Sequence, residues 1–203
     1  MSDLIIIGGG GHAKSVADLA MKNGYNVVGF LDDNEKVTEM LGIKRLGAVA
    51  DCEKYAQKAK FVIGIGNNAV RKRIYETYSI SYETLIHPSA IIATNVIIEN
   101  GSVVLAGAII NADAKIGKQS IINTGAVVEH DCKIGEFTMV APRSTVCGFS
   151  KVGNNCWIGA GSVINNVINI CDDVIIGSGA AVVKNIEEAG TYVGVPAKRM
   201  DDK

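Results

Sequence analysis

Within Ile122–Val140, INTGAVVEHDCKIGEFTMV, a histidine stands next to an aspartate. Imidazole titrates near neutral pH, so it can take a proton from an attacking nucleophile. Asp131 can fix the tautomer of His130 and raise its basicity. The pair is a general base and its support, or a surface pair of a repeat. Asn123 is a polar side chain able to stabilise an oxyanion beside His130, or an asparagine of a corner turn. Cys132 is the rival nucleophile, but it occupies a small, inward slot of the repeat and reads as core. A second set lies near the N-terminus. Gly8-Gly9-Gly10-Gly11-His12-Ala13 follows the apolar run Leu4–Ile7 and opens a helical pattern. Its backbone N–H groups and the helix N-terminus suit a phosphate pair.

Two kinds of element must position these residues. The first eighty or so residues alternate strand and helix: Leu4–Ile7, a helix carrying Val16, Leu19 and Ala20 that stops at Gly24, NVVGFLDD, FVIGIGNN, and a helix in AVRKRIYETY. That order predicts a small three-layer, Rossmann-like α/β unit with a parallel sheet. It is about half the length of a full dinucleotide fold, which argues against NAD. From Ile86 the chain divides into uninterrupted sixes, from IHPSAI to IGSGAA. Ile or Val holds every first position, and the fifth is usually small. A six-residue period predicts a parallel β-helix, a triangular prism with three hexads per coil. His130, third in VEHDCK, then points outward at a corner, between Ala112 one coil below and Gly148 one coil above. The predicted spans are residues 1–83 for the α/β domain and 84–203 for the β-helix with its C-terminal cap. The α/β unit is expected to cover one end of the prism, and NIEEAGTYVGVPAKRM to fold back.

The 203 residues carry a net charge of −1 and only 5% aromatics. No long basic run is present, so nucleic acid and anionic membranes are poor partners. No signal peptide or membrane span is expected. Five cysteines without a CxxC pair fit free thiols in a reducing cytoplasm, and no metal site is expected.

The hexads, INTGAVVEHDCKIGEF, IIGGGGHAK, FLDD, IGNN, IHPSA and GVPAKRM, in this order and over nearly the whole chain, resemble the bacterial sugar acyltransferases of the NeuD/PglD type. FLDD and IGNN look most like the UDP-4-amino-sugar N-acetyltransferases. The resemblance implies a homotrimer of left-handed β-helices with active sites between subunits. It implies acetyl-CoA as cosubstrate and His130 as the base. By the same resemblance Gly10, Gly11 and His12 hold the substrate diphosphate, and Asp32 and Asp33 reach the nucleoside unless they form a solvated turn. Gly66 and Asn67 line the same cleft. Met139, Gly148, Ala160 and Ser178 map to positions that touch CoA. Met139 stands where several relatives carry a histidine that helps hold the acetyl carbonyl, and Ser178 replaces a glycine. Lys198 and Arg199 meet CoA phosphates or form a solvated basic tail; His87 reads as structural. The expected reaction is N-acetylation of a UDP-linked 4-amino-4,6-dideoxy sugar. The alternatives are O-acetylation of sialic acid or another sugar, a dTDP- or GDP-linked amino sugar, and a nucleotide-binding solenoid without turnover.

Overall fold

The computed structural model describes residues 2–200; residue 1 and residues 201–203, the outer ends of the two predicted spans, lie outside the described residues. In the α/β unit, β1 (Asp3–Ile7), α1 (Gly11–Lys22), β2 (Asn26–Leu31), β3 (Glu39–Met40), β4 (Ile43–Gly47), β5 (Lys60–Ile63) and α2 (Asn68–Thr77) follow in order. The sheet runs β3-β4-β2-β1-β5. β1 pairs in parallel with β2 and β5, and β2 with β4. The β3–β4 hairpin is antiparallel and was not among the predicted strands. Its residues, EMLGIKRLG, alternate charge with apolar side chains over too short a run to give a period.

Ala13, Val16, Ala17, Leu19 and Ala20 form the buried stripe of α1. They pack between Leu4 and Ile6 of the sheet and Leu85, Val103, Leu105, Ile121 and Met139 of the prism. The expectation that this unit caps the end of the prism is therefore corrected: it docks along one flank. The reason lies in that flank's outward residues, Val103, Ile121 and Met139, which are apolar and demand cover.

The hexads form three parallel sheets whose strands stack eighteen residues apart, as in Ile121↔Met139 and Val127↔Thr145. First-position residues are buried in three ladders, one per sheet, that meet in one interior core: Ile122 stacks with Val140, Val128 with Val146, and Ile134 with Val152. Each of these side chains contributes roughly 1.5–3 kcal/mol of apolar burial. Fifth-position hydroxyls are buried too, and Ser102, Ser120 and Thr138 satisfy themselves on the carbonyls of Gly117, Gly135 and Gly153. From Asn95 to Gly179 the fourth position turns each corner with a positive φ, as at Asp131 (φ 59) and Phe149 (φ 61).

The sixth position faces outward and distinguishes the three faces. The docked face carries Val103, Ile121, Met139, Trp157 and Ile175. A second face carries Ile91, Ile109, Val127, Thr145, Val163 and Ala181, all uncharged. The third stacks Lys115, Lys133 and Lys151 in register. At the top, Gly190–Val193 joins the docked face in parallel and Lys198–Arg199 folds back antiparallel upon it. No helix among the described residues is long and apolar enough to cross a membrane.

Candidate active site

His130 occupies the corner between the apolar face and the lysine face. The main chain stacks as expected: Asp131 N–H donates to Ala112 O, and Phe149 N–H donates to His130 O. The imidazole lies over Gly148, where a Cβ would fall 2.8 Å from Cε1 and 2.9 Å from Nε2. Only glycine leaves room for the ring. Nδ1 lies 2.9 Å from Asp131 Oδ2. An ionised carboxylate only accepts, so Nδ1 carries the proton and Nε2 presents its lone pair outward. The side chains of His130 and Asp131 are 48% and 43% exposed, which leaves the pair open to an approaching molecule. Phe149 meets the imidazole edge to face, with centroids 5.1 Å apart and planes at 86°.

The glycine loop is built on the other side of the molecule. Gly10 is the N-cap of α1; no side chain caps this helix, and its first turn holds no acid. Gly10 and Gly11 are exposed, and a Cβ at either would meet nothing within 4 Å, so a ligand can approach the loop. An uncapped helix start with open amides attracts an anion. Asp32 Oδ2 accepts from Gly9 N–H at 2.6 Å and Oδ1 from Asn34 N–H, so this carboxylate fastens the loop. Asp33 Oδ1 accepts from Val49 N–H. Both aspartates line a cavity of about 370 Å³ with Arg73, Thr77 and Tyr78. Asn67 caps α2 through Val70 N–H. Gly66 lies against His12 and Met139. Burial, helped by the nearby Arg71 charge, pushes the His12 pKa down to about 4. Its Nε2 is buried without a partner.

The sequence-predicted residues thus fall into separate groups within one chain. Gly10, Gly11, His12, Gly66 and Met139 gather where the α/β unit meets the docked face. Met139 is only 3% exposed, part of that interdomain core. Asn123 does not neighbour His130 in its own chain: its amide lies 4.0 Å from Met139 Sδ, at the corner between the docked and apolar faces. Seven residues of nearly extended chain separate the two, and each side chain leaves at its own corner. Ala160 and Ser178 stack at that same Asn123 corner, where Gly179 N–H donates to Ala160 O. Gly148 belongs to the histidine corner. Lys198 is exposed, while Arg199 is paired with Glu188 at 2.5 Å. His87 accepts from Ser89, and Asn23 ties the adjoining Ile86 carbonyl to the α/β unit. Cys132 is fully buried, and burial pushes its thiol up to about 11, unsuited to a nucleophile.

Comparison with known proteins adds to this geometry. The family model for the PglD N-terminal domain matches residues 3–78. UDP-N-acetylbacillosamine N-acetyltransferase of Bacillus subtilis is 37% identical over 113 residues, 52% of this chain and 52% of that protein. The match thus spans about half the length of that curated relative. The solved acetyltransferase domain of PglB from Neisseria gonorrhoeae is 32% identical, with a TM-score of 0.94 over 98% of this chain and 100% of that one. This chain belongs to the PglD-type sugar acyltransferases of the hexapeptide-repeat superfamily. A mutant of perosamine N-acetyltransferase from Caulobacter crescentus, solved with CoA and GDP-perosamine, is 33% identical. Its TM-score is 0.92 over 100% of this chain and 98% of that one.

Two features of this PglD-type chain were not among the residues predicted from its sequence. Phe149, an exposed aromatic at the fourth corner position, has no composition signal, because its value lies in being one coil above His130. The sixth-position alternation was open to reading, since every third hexad reports one face, and it separates the apolar face from the lysine face.

Proposed function

We propose that the chain is an acetyl-CoA-dependent N-acetyltransferase of a nucleotide-linked amino sugar, with a UDP-linked 4-amino-4,6-dideoxy sugar as the first choice. One observation carries the reading: the His130–Asp131 pair leaves Nε2 free on a rigid, exposed corner. The sugar amine attacks the thioester carbonyl of acetyl-CoA while Nε2 takes its proton. The tetrahedral intermediate collapses, the C–S bond breaks, and the CoA thiolate leaves with the proton that Nε2 returns. The nucleotide diphosphate lies on Gly10, Gly11 and His12, with the nucleoside toward Asp32, Asp33 and the 370 Å³ cavity.

The glycine loop and His130 lie on different sides of one chain, so the site is completed by a second copy. The uncharged face, from Ile91 to Ala181, is a large flat apolar surface that calls for a partner. Three prisms turning it toward a threefold axis bring the Asn123 corner of one protomer beside the His130 corner of the next. Asn123 and the acetyl-CoA positions Ala160, Ser178 and Gly148 then share one cleft between subunits. Lysine ladders stay outside, where like charges in register are tolerated only in water. Both substrates are products of cytoplasmic metabolism, which is where the reaction belongs.

A GDP-linked amino sugar is the second reading, favoured by the likeness to the Caulobacter structure. The test is release of CoA thiol, with mass spectrometry of the sugar, using acetyl-CoA and UDP-, GDP- and dTDP-linked 4-amino sugars, and sialic acid as the hydroxyl acceptor. Turnover is expected with one amino sugar. Absence of turnover with every amine acceptor overturns the proposal.

A further inference from the structure

Arg71 on α2 is 1% exposed, and among the described residues no carboxylate bonds to it. All five of its N–H groups are used. Nε donates to Gln119 O at 2.7 Å and one Nη to Phe137 O at 2.7 Å, both on successive coils of one prism corner. The other Nη donates to Ile65 O at 3.0 Å and Gly66 O at 3.1 Å, in the turn between β5 and α2. The fifth bond goes to Asn68 Oδ1, and Asn68 Nδ2 in turn reaches Cys156 O at 2.8 Å. Burial pulls the guanidinium pKa down to about 9, which leaves it charged at neutral pH.

A buried cation with only neutral partners is an expensive choice if fastening two domains were its whole purpose. Its surroundings explain it. The turn that it grips contains Gly66, which borders His12 of the glycine loop. Its charge also reaches His12, where it disfavours protonation. His12 lies in the first turn of α1, so the uncapped start of that helix borders the same Gly66 turn. We propose that Arg71 is a positioning residue for the nucleotide-sugar site: its guanidinium fork holds the Ile65–Gly66 turn against the prism corner and sets the cleft wall that faces the diphosphate. This rests on the nucleotide-sugar reading above. Only a planar fork with five donors serves three segments at once; a lysine ammonium has three donors and no fixed plane.

The experiment compares the full-length wild type with Arg71→Lys and Arg71→Met. UDP and GDP binding is followed by titration calorimetry, and KM is measured for acetyl-CoA and for the amino sugar that the wild type accepts. In the lysine variant the Kd for the nucleoside diphosphate and the KM for the nucleotide sugar rise about tenfold, and the methionine variant loses more. The KM for acetyl-CoA stays within twofold. A purely structural defect would lower kcat by reducing the active fraction and leave both KM values unmoved. Wild-type affinity and KM in the lysine variant overturn the proposal. So does an unfolded lysine variant, seen as a missing thermal transition, because the residue is then structural. If the wild type binds neither diphosphate and turns over no UDP-, GDP- or dTDP-linked amino sugar, the nucleotide-sugar reading fails instead.

Discussion

The imidazole of His130 rests on Gly148, one coil above it, at a distance that admits no Cβ. Gly148→Ala places a methyl group 2.8 Å from Cε1 and turns the ring out of its place. The backbone is unaffected, because Gly148 is not among the positive-φ glycines. Expected are a kcat lowered by at least tenfold and a melting temperature within a few degrees of wild type, measured by thiol release and thermal denaturation. His130→Ala should cost about 10²–10⁴ in kcat with both KM values nearly constant. Near-normal turnover in that variant removes His130 as the base.

Phe149 holds a left-handed backbone (φ 61) and is exposed, two features that do not favour the fold. Phe149→Gly relieves the backbone by about 1 kcal/mol. It also frees the His130 ring from its edge contact. Stability should stay level or rise in urea denaturation while kcat falls several-fold. A variant as active as wild type would show that Phe149 does not orient the base.

Sites shared between protomers can be shown by mixing. His130→Ala disables one side of the proposed cleft; Gly11→Asp sets a negative charge in the glycine loop proposed to hold the diphosphate, where a Cβ meets no atom within 4 Å. Each is inactive alone. Co-refolded in equal amounts, they should regain about a quarter of wild-type activity, because half of the histidines and half of the loops are intact and pair independently across a C3 interface. A site contained in one chain recovers nothing.

Val127→Glu puts a carboxylate in the middle of the uncharged face, and Lys133→Glu does the same on the lysine face. Sedimentation should show the first variant dissociated and inactive, since an unpaired buried charge costs several kcal/mol at each interface. The second should stay assembled. The reverse pattern would put the lysine face inside.

Acid stability carries the mark of His12. In the folded chain its pKa lies near 4, against 6.5 as the ordinary value. As pH falls, the unfolded chain therefore takes the proton first. Stability from this group is whole above about pH 6.5 and is lost as pH falls toward 4. The loss at pH 5 is roughly 2 kcal/mol. Urea midpoints at pH 7 and pH 5 measure it, with His12→Gln, which does not titrate, as the reference. An equal drop in both proteins assigns the acid sensitivity elsewhere.

The sequence by itself determined the prism and its corners. A strict six-residue period fixes which side chains point in, so Ile122, Val128 and Ile134, one on each sheet, had to face the interior. The same period fixed that His130 points outward between Ala112 and Gly148. These are local properties, repeated every coil, and a local pattern is enough to encode them. The glycine loop was legible for the same reason, since its residues are contiguous.

Tertiary structure alone decided where the two sets stand. Docking of the α/β unit on a flank rather than the end follows from apolar surfaces meeting across long chain separations, and it sets the glycine loop beside Met139, away from the His130 of its own chain. Arg71 shows the limit most plainly. Four of its five bonds go to main-chain carbonyls, at positions 65, 66, 119 and 137, and the direction of a carbonyl is set by the fold rather than by residue type. In the sequence it is one cation within AVRKRIY. In the folded chain its neighbours Lys72 and Arg73 face outward, and it alone lies buried where three segments converge.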